Sequence, residues 1–274
     1  MNTPKVAVLM TVYKNDNTLL VKEAIDSIIF QSYKNICLFL GIDGPIPDDL
    51  REFILSIDCN NEKLKITFFD KNRGLACTLN DLITQVLEDK LIKYIARMDS
   101  DDISYLSRVD KQVSLLESKP EISVCGTSCR EFGASFALEA KHLPQEHNEL
   151  IDFSVTRCPL IHPTVMFRVE VFKGGIRYPV DTALTEDMAL WFILLVQGYQ
   201  FYNINEVLLD YRLNESTISR RNGFNKGLSE FSIRIKYMFK LKRVNLKNSL
   251  LIISRLLFHL MPLKIMAYAY KNAR

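Results

Sequence analysis

Leu91-Ile92-Lys93-Tyr94-Ile95-Ala96-Arg97-Met98-Asp99-Ser100-Asp101-Asp102 is the stretch whose reading decides the fold. A short apolar run, 92–98, ends abruptly in three carboxylates. A run of this length with β-branched and aromatic residues predicts a buried strand. The charges at its end must reach water, and carboxylates this close repel each other unless a cation or hydrogen-bond donors compensate. Two readings follow. Oxygen ligands at i and i+2 suit a hard divalent ion such as Mg²⁺ or Mn²⁺, which takes one or two carboxylates from protein and the rest from phosphates and water. Alternatively, the aspartates cap the next helix.

Working outward, the same alternation recurs. Residues 6–12 predict a buried strand, and Val21, Ala24, Ile25, Ile28 and Ile29 follow at helical spacing. Residues 36–42 predict a second strand, closed by the turn signal Asp43-Gly44-Pro45. A helix over 48–57, a strand over 65–69 and a helical stripe from Leu75 to Leu87 come next, and a further helix over 106–118 follows the aspartates. Strands alternating with helices predict a Rossmann-like, mostly parallel sheet with helices on both faces. Ligands bind such sheets beyond the carboxyl ends of the strands. Asp43, then Asp70-Lys71-Asn72-Arg73-Gly74, then Asp99-Ser100-Asp101 all belong at that edge. Turn chemistry accounts for any one of them; three convergent clusters predict a site.

The chain has 274 residues, enough for one large domain or one and a half, and its 48% apolar and 24% charged residues support a full core. No Gly-x-Gly-x-x-Gly and no Gly-x-x-x-x-Gly-Lys-Ser/Thr follows the first strand, which argues against dinucleotide oxidoreductases and P-loop enzymes. Bound phosphates would then need a metal and basic side chains. Cysteines 37, 59, 77, 125, 129 and 158 are scattered and lack zinc spacing, so reduced thiols are expected. The N-terminus lacks the apolar stretch of a signal peptide, which predicts a cytoplasmic protein.

Charge is distributed unevenly. Between Arg220 and Arg274 there are 13 Lys and Arg against one acid, Glu230, a surplus of +12; the rest of the chain carries −9. A basic tail on an acidic body points to an anionic partner. From Ser249 to Tyr270 the tail is apolar but interrupted by Arg255, His259, Pro262 and Lys264. A spanning helix prefers about 20 unbroken apolar residues, so an amphipathic tail lying on an anionic membrane surface is expected. Packing on the catalytic domain or on another copy of the chain is the alternative. Aromatic–basic stacking motifs are not evident, so no nucleic-acid partner is expected.

From Lys5 to about Ser219 the chain resembles the family-2 glycosyltransferases, inverting enzymes with a GT-A fold. The resemblance is carried by Thr11-Val12-Tyr13 at the end of the opening strand, Asp43, Asn72-Arg73-Gly74-Leu75, Asp99-Ser100-Asp101-Asp102, His162-Pro163-Thr164-Val165-Met166, Thr185-Glu186-Asp187 and Tyr211-Arg212, in that order. Each motif is weak alone; together and in order they are specific. The resemblance implies a catalytic domain over 1–219 and a basic helical tail over 220–274. It implies that Thr11 and Tyr13 line a nucleotide pocket, that Asp43 accepts from the base, usually uracil, and that Arg73 lies near the phosphates. Asp101 would be the main ligand of Mn²⁺ or Mg²⁺, with Asp99 near the ribose or the metal. Asp187 would be the base that deprotonates the acceptor, with Glu186 as alternate or acceptor-binding partner. Without the resemblance, acids at this helix start read as partners of the helix dipole. His162 reads either as structural or as acceptor-side. Trp191 reads as core rather than as a sugar-stacking ring, though it lies on the acceptor side of the motif order. Relatives often carry a metal-binding His after the Tyr-Arg pair; here Asn214 stands there, which leaves the third metal ligand open.

The implied activity is transfer of a hexose or N-acetylhexosamine from a UDP-sugar to a lipid-linked saccharide at the inner face of the plasma membrane, in O-antigen or capsule assembly. The rivals are a sugar-nucleotide nucleotidyltransferase, which would need a Gly-rich loop where Tyr13-Lys14-Asn15-Asp16-Asn17 stands, and a non-catalytic nucleotide-binding subunit.

Overall fold

The computed structural model describes residues 3–58, 63–182, 184–215, 224–259 and 261; Cys59 and the tail beyond Met261 lie outside them. The first half is the alternation read above. Strands β1 (Lys5–Val12), β2 (Ile36–Asp43), β3 (Leu64–Phe69) and β4 (Ile92–Arg97) run parallel in the order β3-β2-β1-β4. Helices α1 (Thr18–Ile29), α2 (Asp48–Asp58) and α3 (Leu75–Glu88) connect them.

β1 explains why the helices cover both faces. Val6, Val8, Met10 and Val12 pack with Val21, Ala24, Ile25 and Ile28 of α1. Ala7 and Leu9 point the other way, onto Leu79, Leu82, Ile83 and Val86 of α3. The strand period of two thus feeds two separate apolar layers. Asn17 starts α1 by accepting from Leu19 N at 3.0 Å and Leu20 N at 3.3 Å.

The second half of the sheet is mixed. After β5 (Ile103–Ser104) and α4 (Arg108–Ser118) come β6 (Ile122–Phe132), α5 (His147–Ser154), the 3₁₀ turn His162–Thr164, β7 (Met166–Arg168), α6 (Glu170–Lys173), α7 (Glu186–Val196) and β8 (Gln200–Arg212). β7 lies antiparallel between β4 and β6, β6 pairs parallel with β8, and β5 closes the sheet antiparallel to β8. The full order is β3-β2-β1-β4-β7-β6-β8-β5. Five free cysteines, 37, 77, 125, 129 and 158, lie among the described residues, in line with the expectation of reduced thiols.

The C-terminal region forms two helices, Phe224–Lys240 and Leu246–His259. The first is built onto the rest of the chain. Its Tyr237 stacks on Phe192 of α7, with ring centroids 4.9 Å apart. Its Arg234, 1% exposed, donates to Ser154 O at 2.9 Å and Val155 O at 3.0 Å at the end of α5. The second helix rests on the first: Ile252 packs with Met238 and Val155, and Arg255 Nε donates to Glu230 Oε1 at 2.6 Å. Among the described residues no helix is long and apolar enough to cross a membrane.

Candidate active site

The carboxylate cluster sits where β4 ends. One carboxylate oxygen from each of Asp99, Asp101 and Asp102 lies within 4.8 Å of the others. None of the three starts the next helix, α4, whose N-cap is Ser107, so the capping reading fails. Asp102 is fully buried; its Oδ1 accepts from Arg212 N at 2.8 Å, while its Oδ2 has no hydrogen-bond partner. Burial, with the Asp99 and Asp101 charges added, pushes its carboxyl well above the ordinary range. Buried Arg97 pairs with Asp99. Arg212 ties the end of β8 to the cluster by donating from Nε to Asp101 O at 2.7 Å.

A fourth carboxylate joins from the loop after β1. Asp16 Oδ2 accepts from Tyr13 N and from Ser100 Oγ, each at 3.0 Å. Burial pushes both Asp16 and Asp101 up to about 6, and Asp99 adds to each shift. Four acids held this way favour a bound cation over mutual repulsion. An orphaned, buried oxygen beside two further carboxylates suits a hard divalent ion, which Asp99, Asp101 and Asp102 would hold.

The residues expected on the nucleotide side lie along the same sheet edge. Thr11 is near the end of β1, between β2 and β4, and Tyr13 follows it, 37% exposed. Asp43 is buried at the end of β2. Its Oδ1 accepts from Arg73 N at 2.8 Å and its Oδ2 from Gly74 N at 2.9 Å, so it organises the 72–74 turn while each oxygen keeps a lone pair. Gly44 beside it has φ +86, and a Cβ there would lie 2.4 Å from Asn72 N; only glycine lets the two turns approach. The Arg73 guanidinium is turned onto α3, paired with Asp81 and 4.9 Å from the Phe69 ring centroid. That pair is exposed and worth under about 1 kcal/mol.

Glu186 and Asp187 start α7. Asp187 Oδ1 accepts from Met188 N at 2.7 Å. A carboxylate serving only the helix dipole would be held below its ordinary range; burial, with Glu186 beside it, pushes Asp187 up to about 6. Leu184, at φ 56, holds a left-handed conformation that is unusual for a bulky side chain just before Thr185-Glu186-Asp187. The first C-terminal helix reaches this corner as well: Thr185 Oγ1 and Ser229 Oγ are 3.1 Å apart, and the Lys226 charge acts on Asp187.

Tyr178 is within electrostatic reach of both carboxylate groups. Its hydroxyl, buried and 2.9 Å from His162 Nε2, feels the charges of Arg97, Asp187, Glu186 and Asp99 together. Burial, with Arg97 nearby, holds His162 neutral, well below its ordinary pKa. His162 thus packs against Tyr178.

Trp191 lies in the apolar core. It is 1% exposed, stacked on Phe167 at 5.7 Å and edge-on to Phe201 at 6.1 Å. No ring face is open to a sugar, so the acceptor-side alternative gives way to the core reading. Trp191→Ala should cost about 3–5 kcal/mol of stability, measured by urea unfolding; unchanged stability with a raised acceptor KM would restore the stacking role.

Asp16, Arg97 and Tyr178 escaped the sequence reading. Asp16 was within reach, because it follows the first strand just as Asp43 and Asp99 follow theirs. Arg97 was hidden inside an apolar strand, and Tyr178 carries no local signal.

The comparisons with known proteins agree with this architecture. The family model "Glycosyl transferase family 2" matches residues 7–182. The chain is 30% identical over 282 residues to the UDP-Gal:alpha-D-GlcNAc-diphosphoundecaprenol beta-1,3-galactosyltransferase of Escherichia coli, covering 99% of this chain and 97% of that protein. It is 28% identical over 269 residues to an amylovoran biosynthesis glycosyltransferase of Erwinia amylovora, covering 98% of each. Its fold matches the mannosyltransferase PcManGT of Pyrobaculum calidifontis, solved with GDP-Man and Mn²⁺, with a TM-score of 0.66 at 13% identity over 100% of this chain and 77% of that one. The sheet order, the carboxylate edge and these likenesses converge, and the chain belongs to glycosyl transferase family 2, with the GT-A fold.

Proposed function

We propose that this glycosyltransferase inverts its donor sugar, moving a hexose or N-acetylhexosamine from a UDP-sugar to a hydroxyl of a lipid-linked saccharide in bacterial O-antigen or capsule assembly. The observation that carries the reading is the Asp99–Asp101–Asp102 cluster at the end of β4. It is supported by a second acidic pair, Glu186–Asp187, whose charges act with that of Asp99 on the Tyr178 hydroxyl; a donor's diphosphate and an acceptor's hydroxyl need two such groups.

Thr11, Tyr13 and Asp43 hold the nucleotide, and Arg73 swings from Asp81 to its phosphates. Asp101 and Asp99, with Asp102, would hold Mn²⁺ or Mg²⁺, which would supply Lewis-acid neutralisation of the departing diphosphate. Asp187 takes the acceptor's proton as that oxygen bonds to the anomeric carbon. The bond from that carbon to the diphosphate breaks with its electron pair, and nucleoside diphosphate departs. Attack from the face opposite the leaving group inverts the anomeric centre. Glu186 binds the acceptor or shares the proton. Asn214, two residues beyond Arg212, is the candidate third ligand through its carbonyl oxygen. The printed names of the E. coli and E. amylovora relatives, a diphosphoundecaprenol-linked acceptor and a surface polysaccharide, support the acceptor class.

The test is UDP release from UDP-Gal, UDP-Glc and UDP-GlcNAc with a synthetic lipid-diphosphate saccharide, with and without Mn²⁺. Release should require metal, and because Asp187 works ionised, kcat should rise with pH through about 6 and then level. No release from any donor with either ion would overturn the reading.

A further inference from the structure

The second C-terminal helix is fastened on one side only. Ile252 and Arg255 face the first helix. At 3.6 residues per turn, Leu246, Leu250, Ile253 and Leu257 form a stripe on the opposite side, and Met261 follows the helix end. These five residues are between 36% and 77% exposed. A soluble helix normally turns such a stripe inward, and a contiguous exposed one marks an interaction surface.

The surroundings name the partner. Lys240 and Lys242, at the junction between the two helices, and Lys247, in the first turn of the second, are exposed. No acid occurs from Phe231 to Arg274, and Glu230 already accepts from both Arg234 and Arg255. A second copy of the chain would bring lysines against lysines with nothing to neutralise them. An anionic bilayer supplies both the apolar layer and the negative charge.

We propose that the Leu246–Leu250–Ile253–Leu257 face, rimmed by Lys240, Lys242 and Lys247, docks flat on an anionic lipid surface. The first helix, wedged between this face and α7, then fixes Asp187 relative to the membrane. The purpose of such docking rests on the lipid-linked acceptor proposed above; the docking itself is measured without donor or acceptor, so the two can fail separately.

Deleting both helices is not the test, because the first covers α7. The full chain is instead spun down with vesicles of phosphatidylcholine alone or mixed with phosphatidylglycerol. Co-sedimentation should need the anionic lipid and weaken with salt. A Leu250→Ser/Leu257→Ser variant should bind at least tenfold more weakly, and each Lys→Ala change at 240, 242 or 247 should cost about fivefold. Unchanged melting temperatures would show that these exposed substitutions leave the fold intact. No binding to either vesicle, or binding unaffected by the serine variant, overturns the proposal. So does a dimer, seen by analytical ultracentrifugation, that the serine variant dissolves while vesicles are ignored.

Discussion

Asp187→Asn is expected to lower kcat for sugar transfer by about a hundred- to ten-thousandfold, the range that a positioned general base contributes. Donor KM should barely move, because Asp187 starts α7 and is not among the clustered carboxylates at the end of β4. The same change should stabilise the protein at neutral pH. Burial lifts Asp187 from its ordinary 3.8 to about 6, so the folded state binds this proton more tightly than the unfolded chain. Its contribution to stability is fully present below the ordinary carboxylate pKa and is lost as pH rises through about 6. Asparagine keeps the neutral shape at every pH. The gain at neutral pH should be on the order of 1–2 kcal/mol after allowing for partial exposure, and should vanish in acid. Thermal melts at both pH values check this. Full transfer activity in the variant would remove Asp187 from the base role and leave Glu186 to be tried.

Asp101→Ala should lower kcat/KM by about a hundred- to a thousandfold, the scale for losing one electrostatic support of a developing charge. What remains should respond much less to Mn²⁺. Asp101 is a cleaner choice than Asp102, whose Oδ1 also holds the Arg212 amide and so the end of β8. Titrating Mn²⁺ into the chain with UDP present should show weaker binding in the variant. Metal dependence identical to the unaltered protein would sink the assignment.

The elements legible in the sequence are those whose signal is local. Ile92 to Met98 reads as a strand because its apolar run is short and bounded, and α3 reads as a helix because Leu75, Leu79, Leu82 and Val86 recur at its period. The mixed half was not legible. β7 is three residues long, too short to carry a period, and its direction is set by pairing with β4 and β6. Asp43, Arg73, Asp99 and Asp101 could be gathered on one edge because topology alone puts strand ends together. Arg73's turn onto Asp81 and Asp43's grip on the 72–74 amides needed coordinates, because a side chain's partner depends on what packs beside it.

By itself, the order of strands, helices and polar strand ends determined a doubly covered sheet with a carboxylate-bearing edge. Ordered motifs narrowed that to sugar transfer. The tertiary structure decided the choice between cap and cluster at Asp99, Asp101 and Asp102, because Ser107 starts α4 and the Asp102 Oδ2 is left buried without a partner. It decided that Trp191 is core, and that the first basic helix is part of the wall around Asp187. The division has one cause: periodicity and turn chemistry act over a few residues, whereas burial and charge coupling are set by segments far apart in the chain.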